Sequence, residues 1–190
     1  SVCAAPAGDL GVYLLKDPSI SLAEAQQTAL ERLALQDKPL LCLDDFQCYQ
    51  WPAGRMTVTP EAFQRVPKPG VYGVPFVMVA GDRRAYPGAF WTMASSVSVS
   101  PPVVVWIAEP GDNSFRVGQG YPQTMALQSD PRNRAVREAF QKAGKLRVNF
   151  QEWQPPSPED MRRLFLEVRT LDLLPYEQAR EQIAHLYRDV

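Results

Sequence analysis

A short apolar run at residues 74–80, Val-Pro-Phe-Val-Met-Val-Ala, constrains the fold of this chain more than any other stretch. It is rich in β-branched residues, too short for a helix and flanked by Gly73 and Gly81. A continuous apolar run predicts a strand that is buried on both faces, inside a sheet rather than at its edge. The Gly81-Asp82 pair follows where a tight turn with a positive φ at its first residue would close a hairpin.

Further strand signals lie on both sides of this run. We predict strands at residues 11–15, 40–43, 49–58 (as a hairpin), 85–91, 96–100, 103–108, 114–117 and 146–150. Pro101-Pro102 is expected to separate the strands at 96–100 and 103–108, and residues 118–122 are expected to form a loop.

Helix signals are concentrated near the two chain ends. Ser21 and Glu24 form a capping box that opens a helix to about residue 35, and Thr59-Pro60 is typical of a second helix start. Further helices are predicted at residues 130–143, ended by Gly144, and after residue 157. Sequential strands joined by short turns pair antiparallel. The predicted fold class is therefore α+β: a mostly antiparallel sheet of about five to seven strands, packed by helices from both chain ends.

The composition fits one globular domain and excludes some partners. We predict a flexible N-terminal tether over residues 1–10 and a single α+β domain over residues 11–190. Apolar residues make up 45% of the 190-residue chain, which can therefore bury a core without help from a metal or a disulfide. The net charge of −1 gives no electrostatic reason to expect nucleic acid or an anionic membrane as partner.

The first nine residues, Ser-Val-Cys-Ala-Ala-Pro-Ala-Gly-Asp, suggest a processed N-terminus, as after signal-peptide removal. Cys3 followed by small residues resembles the mature start of a bacterial lipoprotein, whose cysteine carries the lipid. Val2 departs from that pattern, because a small residue normally precedes the cysteine. A lipid on Cys3 would be the chain's only link to a membrane.

The remaining cysteines, Cys42 and Cys48, are six residues apart. A straight strand would separate their Cα atoms by about 20 Å, whereas a disulfide needs about 5.5 Å. A turn over residues 43–47 would make a Cys42–Cys48 bridge feasible. The alternative is two buried thiols in a cytoplasmic protein. Two cysteines and the distant His185 fall short of a four-ligand metal set, so neither metal nor cofactor is predicted.

Catalytic groups are sparse in this sequence. His185 is the only histidine, and it would need Ser95, Ser96 or a cysteine as nucleophile. No Gly-x-Ser-x-Gly motif presents a serine for that purpose. A hydrolase using His185 is therefore the alternative function, and a non-enzymatic one is preferred.

Two groups of side chains are candidates for binding. The first group is three arginines in the first turns of a predicted helix, where the positive end of the helix dipole disfavours cations: Arg132, Arg134 and Arg137. Binding a carboxylate or phosphate of a partner would offset that cost. The alternative is that they form a solvated helix face. Aromatic residues, which either form the core or line a binding surface, are concentrated in the predicted sheet: Tyr72, Phe76, Tyr86, Phe90, Trp91 and Trp106.

The sequence thus predicts a non-enzymatic, extracytoplasmic binding or protein-interaction protein, periplasmic or secreted. A lipoprotein anchored in the outer membrane and an inhibitor or immunity protein are particular forms of this class. The partner is expected to be another protein or a small ligand. We expect Trp91 and Arg84 to be partly solvent-accessible and to lie on the binding surface, and Ser95 and Ser96 are further predicted binding residues.

Overall fold

The computed structural model describes residues 10–109, 111–122, 125–126 and 132–148. By its contacts the chain divides into two units, Ser1–Glu152 and Trp153–Val190, and every described residue belongs to the first. Residues 1–9 of the predicted tether and the helices predicted after residue 157 lie outside the described residues. One domain over residues 11–190 stays a prediction.

The described residues form ten strands and three α-helices. The strands are β1 (Leu10–Leu14), β2 (Leu41–Cys42), β3 (Phe46–Trp51), β4 (Arg55–Val58), β5 (Val74–Ala80), β6 (Arg83–Trp91), β7 (Val99–Ala108), β8 (Ser114–Tyr121), β9 (Met125–Ala126) and β10 (Leu146–Val148). The helices are α1 (Leu22–Gln27), α2 (Pro60–Arg65) and α3 (Asn133–Lys142).

One mixed sheet contains all the strands. Nine follow one another in the order β10-β3-β4-β8-β7-β6-β5-β1-β2, and β9 pairs with β8. The pairs β6–β7 and β3–β10 are parallel, and the other pairs are antiparallel. The predicted fold class is therefore wrong: the described chain is dominated by a mixed sheet and has few helices, of which only α3 exceeds six residues.

The parallel pairing of β6 with β7 explains part of this error. Trp91 at the end of β6 pairs with Ile107, and Gly88 pairs with Val104. Residues 92–103 therefore connect the two paired segments, which is the dozen residues that a parallel crossover requires. The separate strand predicted at residues 96–100 is not formed, because β7 continues from Val99 through Pro101-Pro102 with a register shift between Val99 and Val104.

The N-terminal helix is also shorter than predicted. The Ser21 capping box is present, but α1 ends at Gln27. Residues 34–36 instead bond to the end of β1, with Gln36 N–H donating to the Leu14 carbonyl at 2.9 Å and Lys16 N–H to the Ala34 carbonyl at 2.8 Å. Tertiary pairing with the sheet has overridden the helical periodicity of this segment.

The prediction for β5 is confirmed. It lies between β1 and β6, and its neighbouring residues Phe76, Val77 and Met78 are all buried although they point to alternate faces. Gly81, with φ of 64°, opens the turn to β6 as expected. The sheet therefore has apolar residues on both sides at its centre.

The larger core lies between the sheet and α3. Val136 and Phe140 of α3 are fully buried, and the Phe140 ring lies 5.2 Å from the ring of Phe46. Helix α3 contacts β10, at one end of the strand order, and also β5 and β6, which lie far from β10 in that order. The sheet therefore curves around this helix. The opposite side of the sheet is covered by α1 and the segment after it, and near Trp91 by two loops.

Candidate interaction surface

Trp91 ends β6 on the side of the sheet away from α3. Its side chain is 2% exposed and packs with Leu22, Val105 and Ile107. The indole ring also lies 6.1 Å from the ring of Tyr121. The prediction that Trp91 is solvent-accessible is therefore wrong, because side chains from neighbouring strands and α1 surround it.

Two loops meet beside Trp91. The first, residues 66–73, contains a turn closed by a hydrogen bond from Gly73 N–H to the Gly70 carbonyl at 3.0 Å. The second, residues 92–98, contains a turn closed by a hydrogen bond from Ser95 N–H to the Thr92 carbonyl at 3.1 Å. Val71 and Tyr72 are the middle residues of the first turn, and Met93 and Ala94 are those of the second.

Side-chain hydroxyls join these loops to each other and to the sheet. Ser95 Oγ donates to the Val71 carbonyl at 2.6 Å and accepts from Val97 N–H at 3.0 Å. The Tyr121 hydroxyl of β8 donates to the Met93 carbonyl at 2.7 Å. The loops are therefore held in one arrangement over the buried indole.

Three large apolar side chains project from the middle of these turns: Val71 (44% exposed), Tyr72 (73%) and Met93 (59%). The part of the chain that the structure describes has one more exposed large apolar side chain, Val148 in β10. We call Val71, Tyr72, Met93 and the linking Ser95 the Tyr72 surface. Ser96 follows directly and is also exposed.

The two loops that carry the Tyr72 surface contain one charged residue between them. Residues 92–98 have no Asp, Glu, Lys, Arg or His, although 22% of the chain is charged. Lys68 is the only charged residue of residues 66–73. Charge depletion combined with exposed Tyr and Met is the composition of an interface core rather than of an ordinary solvated loop.

Arg84 does not belong to this surface. It lies seven residues before Trp91 in β6, and this spacing corresponds to about 23 Å along a strand. One nitrogen of its guanidinium donates to the carbonyls of Leu30 and Leu33. Arg84 therefore fixes the segment after α1 onto the sheet.

The candidate arginines of α3 contact other parts of the chain. Arg132, the N-cap residue, donates from Nη2 to the Pro102 carbonyl of β7 at 2.8 Å. Arg134 forms an exposed ion pair with Glu138 at 2.9 Å, and the Arg137 guanidinium lies 5.0 Å from the Trp51 ring centre. Anion binding by Arg132 and Arg134 stays a prediction.

The predicted Cys42–Cys48 disulfide is wrong. Cys48 is a free, buried thiol. The expected turn exists as a 3₁₀ helix at Leu43–Asp45, but β3 starts at Phe46 and carries Cys48 away along the sheet. Cys3, the predicted lipidation site, lies outside the described residues.

The turn between β2 and β3 has a structural role. Asp45 accepts a hydrogen bond from Cys42 N–H at 2.8 Å and forms an ion pair with Arg65 of α2 at 2.7 Å. Asp44 and Asp45 both lie in this 3₁₀ turn, and Asp45 caps it. Among the residues that the structure describes, no three His, Cys, Asp or Glu side chains cluster in a way that could hold a metal ion.

The predicted hydrolase pair cannot be assembled from the described residues, because His185 lies outside them. Ser95 Oγ, its candidate nucleophile, donates its hydrogen bond to a backbone carbonyl. The hydrolase alternative therefore stays a prediction. Within the described ranges, no helix is both long and apolar enough to cross a membrane.

Comparisons with known proteins add nothing to these observations, since no family model, no curated protein and no solved structure matches this chain. Tyr72 belongs to the aromatic set predicted from sequence, and no feature of its residue type separates it from the others. The other five members of that set are buried. The available signal was local: Tyr72 stands in a loop between Gly70 and Gly73, not in a strand.

Proposed function

We propose that this chain is a non-enzymatic, extracytoplasmic protein-interaction protein that binds a protein partner through the Tyr72 surface. The observation that carries the proposal is the exposure of Val71, Tyr72 and Met93 on two adjoining loops. Single exposed apolar side chains are ordinary on monomeric proteins, whereas adjoining ones that form a patch are a mark of interaction sites. Tyrosine and methionine are also enriched at the centres of interfaces, where charged residues are depleted.

The chemistry of the surface favours a protein over other macromolecular partners. Nucleic acids and anionic membranes are bound through clusters of Lys and Arg, and Lys68 is the only cation in the loop that carries Tyr72. The complementary surface is therefore expected to be apolar and uncharged, with hydrogen-bonding groups that suit the Tyr72 hydroxyl and the Ser96 side chain.

The fixed arrangement of the loops supports the same proposal. Binding carries an entropic cost when loops must become ordered, and that cost falls when they are already held in place. The Ser95–Val71 and Tyr121–Met93 hydrogen bonds hold the loops, and Trp91 supports them from below. In this proposal Trp91 supports the two loops from inside the protein, and Tyr72 contacts the partner.

The extracytoplasmic location is part of the proposal and depends on cysteine chemistry. Cys42 is disulfide-bonded. Disulfides persist in oxidising compartments and are rare in the cytosol. Reduced Cys42 in protein taken from its own host would support the cytoplasmic alternative.

The binding proposal is tested by comparing three forms of the full chain as baits in extracts of the native host. The wild type is compared with the Tyr72→Ser/Met93→Ser double variant and with Val148→Ser, which removes an exposed apolar side chain elsewhere. A protein retained by the wild type and by Val148→Ser, but lost with the double variant, supports the proposal. The purified partner should then bind the double variant at least about tenfold more weakly, the loss expected for interface hot spots.

Two results would overturn the proposal. One is equal capture of every partner by the double variant and the wild type. The other is a saturable partner whose affinity falls with Val148→Ser but not with the double variant. Melting curves provide the control for folding: because both altered side chains are exposed, the double variant should melt close to the wild type.

A further inference from the structure

The three cysteines of the chain are in different chemical states. Cys42 is disulfide-bonded, whereas Cys48 is a free thiol buried in β3. The only other cysteine in the sequence is Cys3. Since Cys48 is excluded, Cys3 is the one residue of this chain that can supply the second sulfur.

We infer that Cys42 forms a disulfide with Cys3, and that the cysteine chemistry of this protein attaches the N-terminal segment to the sheet rather than to a lipid. The inference is independent of the Tyr72 surface, which involves none of the residues concerned.

The position of Cys42 suits this link. Cys42 is the last residue of β2 and pairs with Gly11 near the start of β1. Cys3 precedes Gly11 by eight residues, a length of chain that spans at most about 26–29 Å when extended. A disulfide requires Cα atoms within about 7 Å of each other. The segment from Cys3 to Gly11 is therefore long enough to turn back towards β2.

The Cys42 side of the bond is held rigidly. Its N–H donates to Asp45 Oδ2 at 2.8 Å, and Asp45 Oδ1 pairs with Arg65 at 2.7 Å. The Cys42 side chain is also buried. A fixed and shielded sulfur disfavours exchange with external thiols once the bond has formed.

Bond formation is a balanced two-electron oxidation by a disulfide-bearing thiol oxidoreductase. One cysteine thiolate attacks a sulfur of the oxidant's disulfide, forming a mixed disulfide and releasing one thiolate of the oxidant. The second cysteine thiolate then attacks the substrate sulfur of that mixed disulfide and releases the other thiolate. The two cysteines lose two electrons and two protons in total, and the oxidant becomes a dithiol.

This bond and a lipid on Cys3 exclude each other. Lipidation would use the Cys3 sulfur in a thioether, so one molecule cannot carry both modifications. A Cys3–Cys42 disulfide therefore predicts an extracytoplasmic protein without a lipid on Cys3.

Peptide mapping of the full chain purified from its own host tests the inference. The protein is denatured and alkylated without reduction, and is then cut on the N-terminal side of aspartate. Cleavage before Asp9, Asp37, Asp44 and Asp45 separates the three cysteines into fragments 1–8, 37–43 and 45–81. We expect fragment 1–8 linked to fragment 37–43, fragment 45–81 alkylated at Cys48, and one free thiol per chain that becomes three after reduction.

Four results would each overturn the inference: an alkylated Cys42, a link between fragments 37–43 and 45–81, an acyl mass on fragment 1–8, or a link between two different chains. The last is detected by refolding a mixture of ¹⁴N- and ¹⁵N-labelled chains under oxidising conditions and finding light–heavy linked pairs. The Cys48→Ser variant should keep the link, and Cys3→Ser should raise the free-thiol count from one to two. The peptide map of the wild-type protein tests the inference even if a variant fails to fold.

Discussion

Gly73 lies directly against Trp91. A Cβ atom at Gly73 would stand 2.4 Å from Trp91 Cε3 and 2.6 Å from Cζ3. The Gly73 backbone also has φ of +72°, in the left-handed region where side chains are disfavoured. The loop that carries Tyr72 can therefore approach the buried indole only because this residue has no side chain.

Replacing Gly73 with alanine should destabilise the protein by about 2–5 kcal/mol. Left-handed backbone accounts for about 1–2 kcal/mol, and the clash with the indole adds about 1–3 kcal/mol of overpacking. Gly111→Ala is a matched control, because φ is +75° there and a Cβ would meet nothing within 4 Å. Urea unfolding of both variants gives the comparison. Equal losses of stability would show that the contact with Trp91 carries no cost.

Local chemistry made much of the secondary structure predictable. The Ser21 capping box, the Thr59 cap with Pro60, and the positive φ of Gly144 after α3 all lie where the sequence placed them. Each depends on bonds within one turn of the chain. The strand order and the direction of β6 relative to β7 depend on contacts between segments that are distant in sequence. No local sequence pattern predicts those contacts.

Trp91 should contribute to stability and not directly to binding. Its burial predicts that Trp91→Ala costs about 3–5 kcal/mol of folding free energy. Trp91→Phe should cost less, because it keeps part of the packing and removes an indole N–H that is buried without an acceptor among the described residues. Thermal melting of the two variants measures the difference. A wild-type melting temperature for Trp91→Ala would contradict the packing described here.

Burial was the property of the candidate site that sequence could not supply. From sequence alone, Tyr72 and Trp91 are equally good candidates for a binding surface, because both are amphipathic aromatic residues near glycines. Their difference arises because Trp91 ends a central strand, while Tyr72 occupies a turn that crosses above it. That crossing follows from the assembly of the sheet.

Arg84 should likewise prove structural. Arg84→Met keeps the apolar stem but removes the donor shared by the carbonyls of Leu30 and Leu33, so we expect a loss of about 1–3 kcal/mol. The adjacent Arg83 is exposed, and Arg83→Met should change stability by no more than about 0.5 kcal/mol. Chemical denaturation of the pair decides the matter. Stability losses of the same size would leave the two arginines equivalent.

The buried Tyr49 hydroxyl should make stability depend on alkaline pH. It accepts a hydrogen bond from Asn133 Nδ2 at 2.9 Å, in the core beneath α3. Burial raises the pKa of Tyr49 to about 12, although the hydrogen bond from Asn133 and the charge of Arg137 oppose that rise. An unfolded tyrosine has a pKa of about 10. The folded state therefore keeps its proton over a range in which the unfolded state loses it.

The stability that Tyr49 contributes in this way should be fully present below pH 10 and lost as the pH rises to about 12. Each pKa unit corresponds to about 1.4 kcal/mol, so the total loss should be about 2–3 kcal/mol. Urea unfolding of Tyr49→Phe between pH 8 and pH 12 should show a shallower decline than the wild type, together with a constant offset from the lost hydrogen bond. Tyr72→Phe removes an exposed hydroxyl and should keep the wild-type slope. If the unfolding free energies of Tyr49→Phe and Tyr72→Phe fell with the same slope between pH 8 and pH 12, the loss of stability at alkaline pH would come from other residues of the chain.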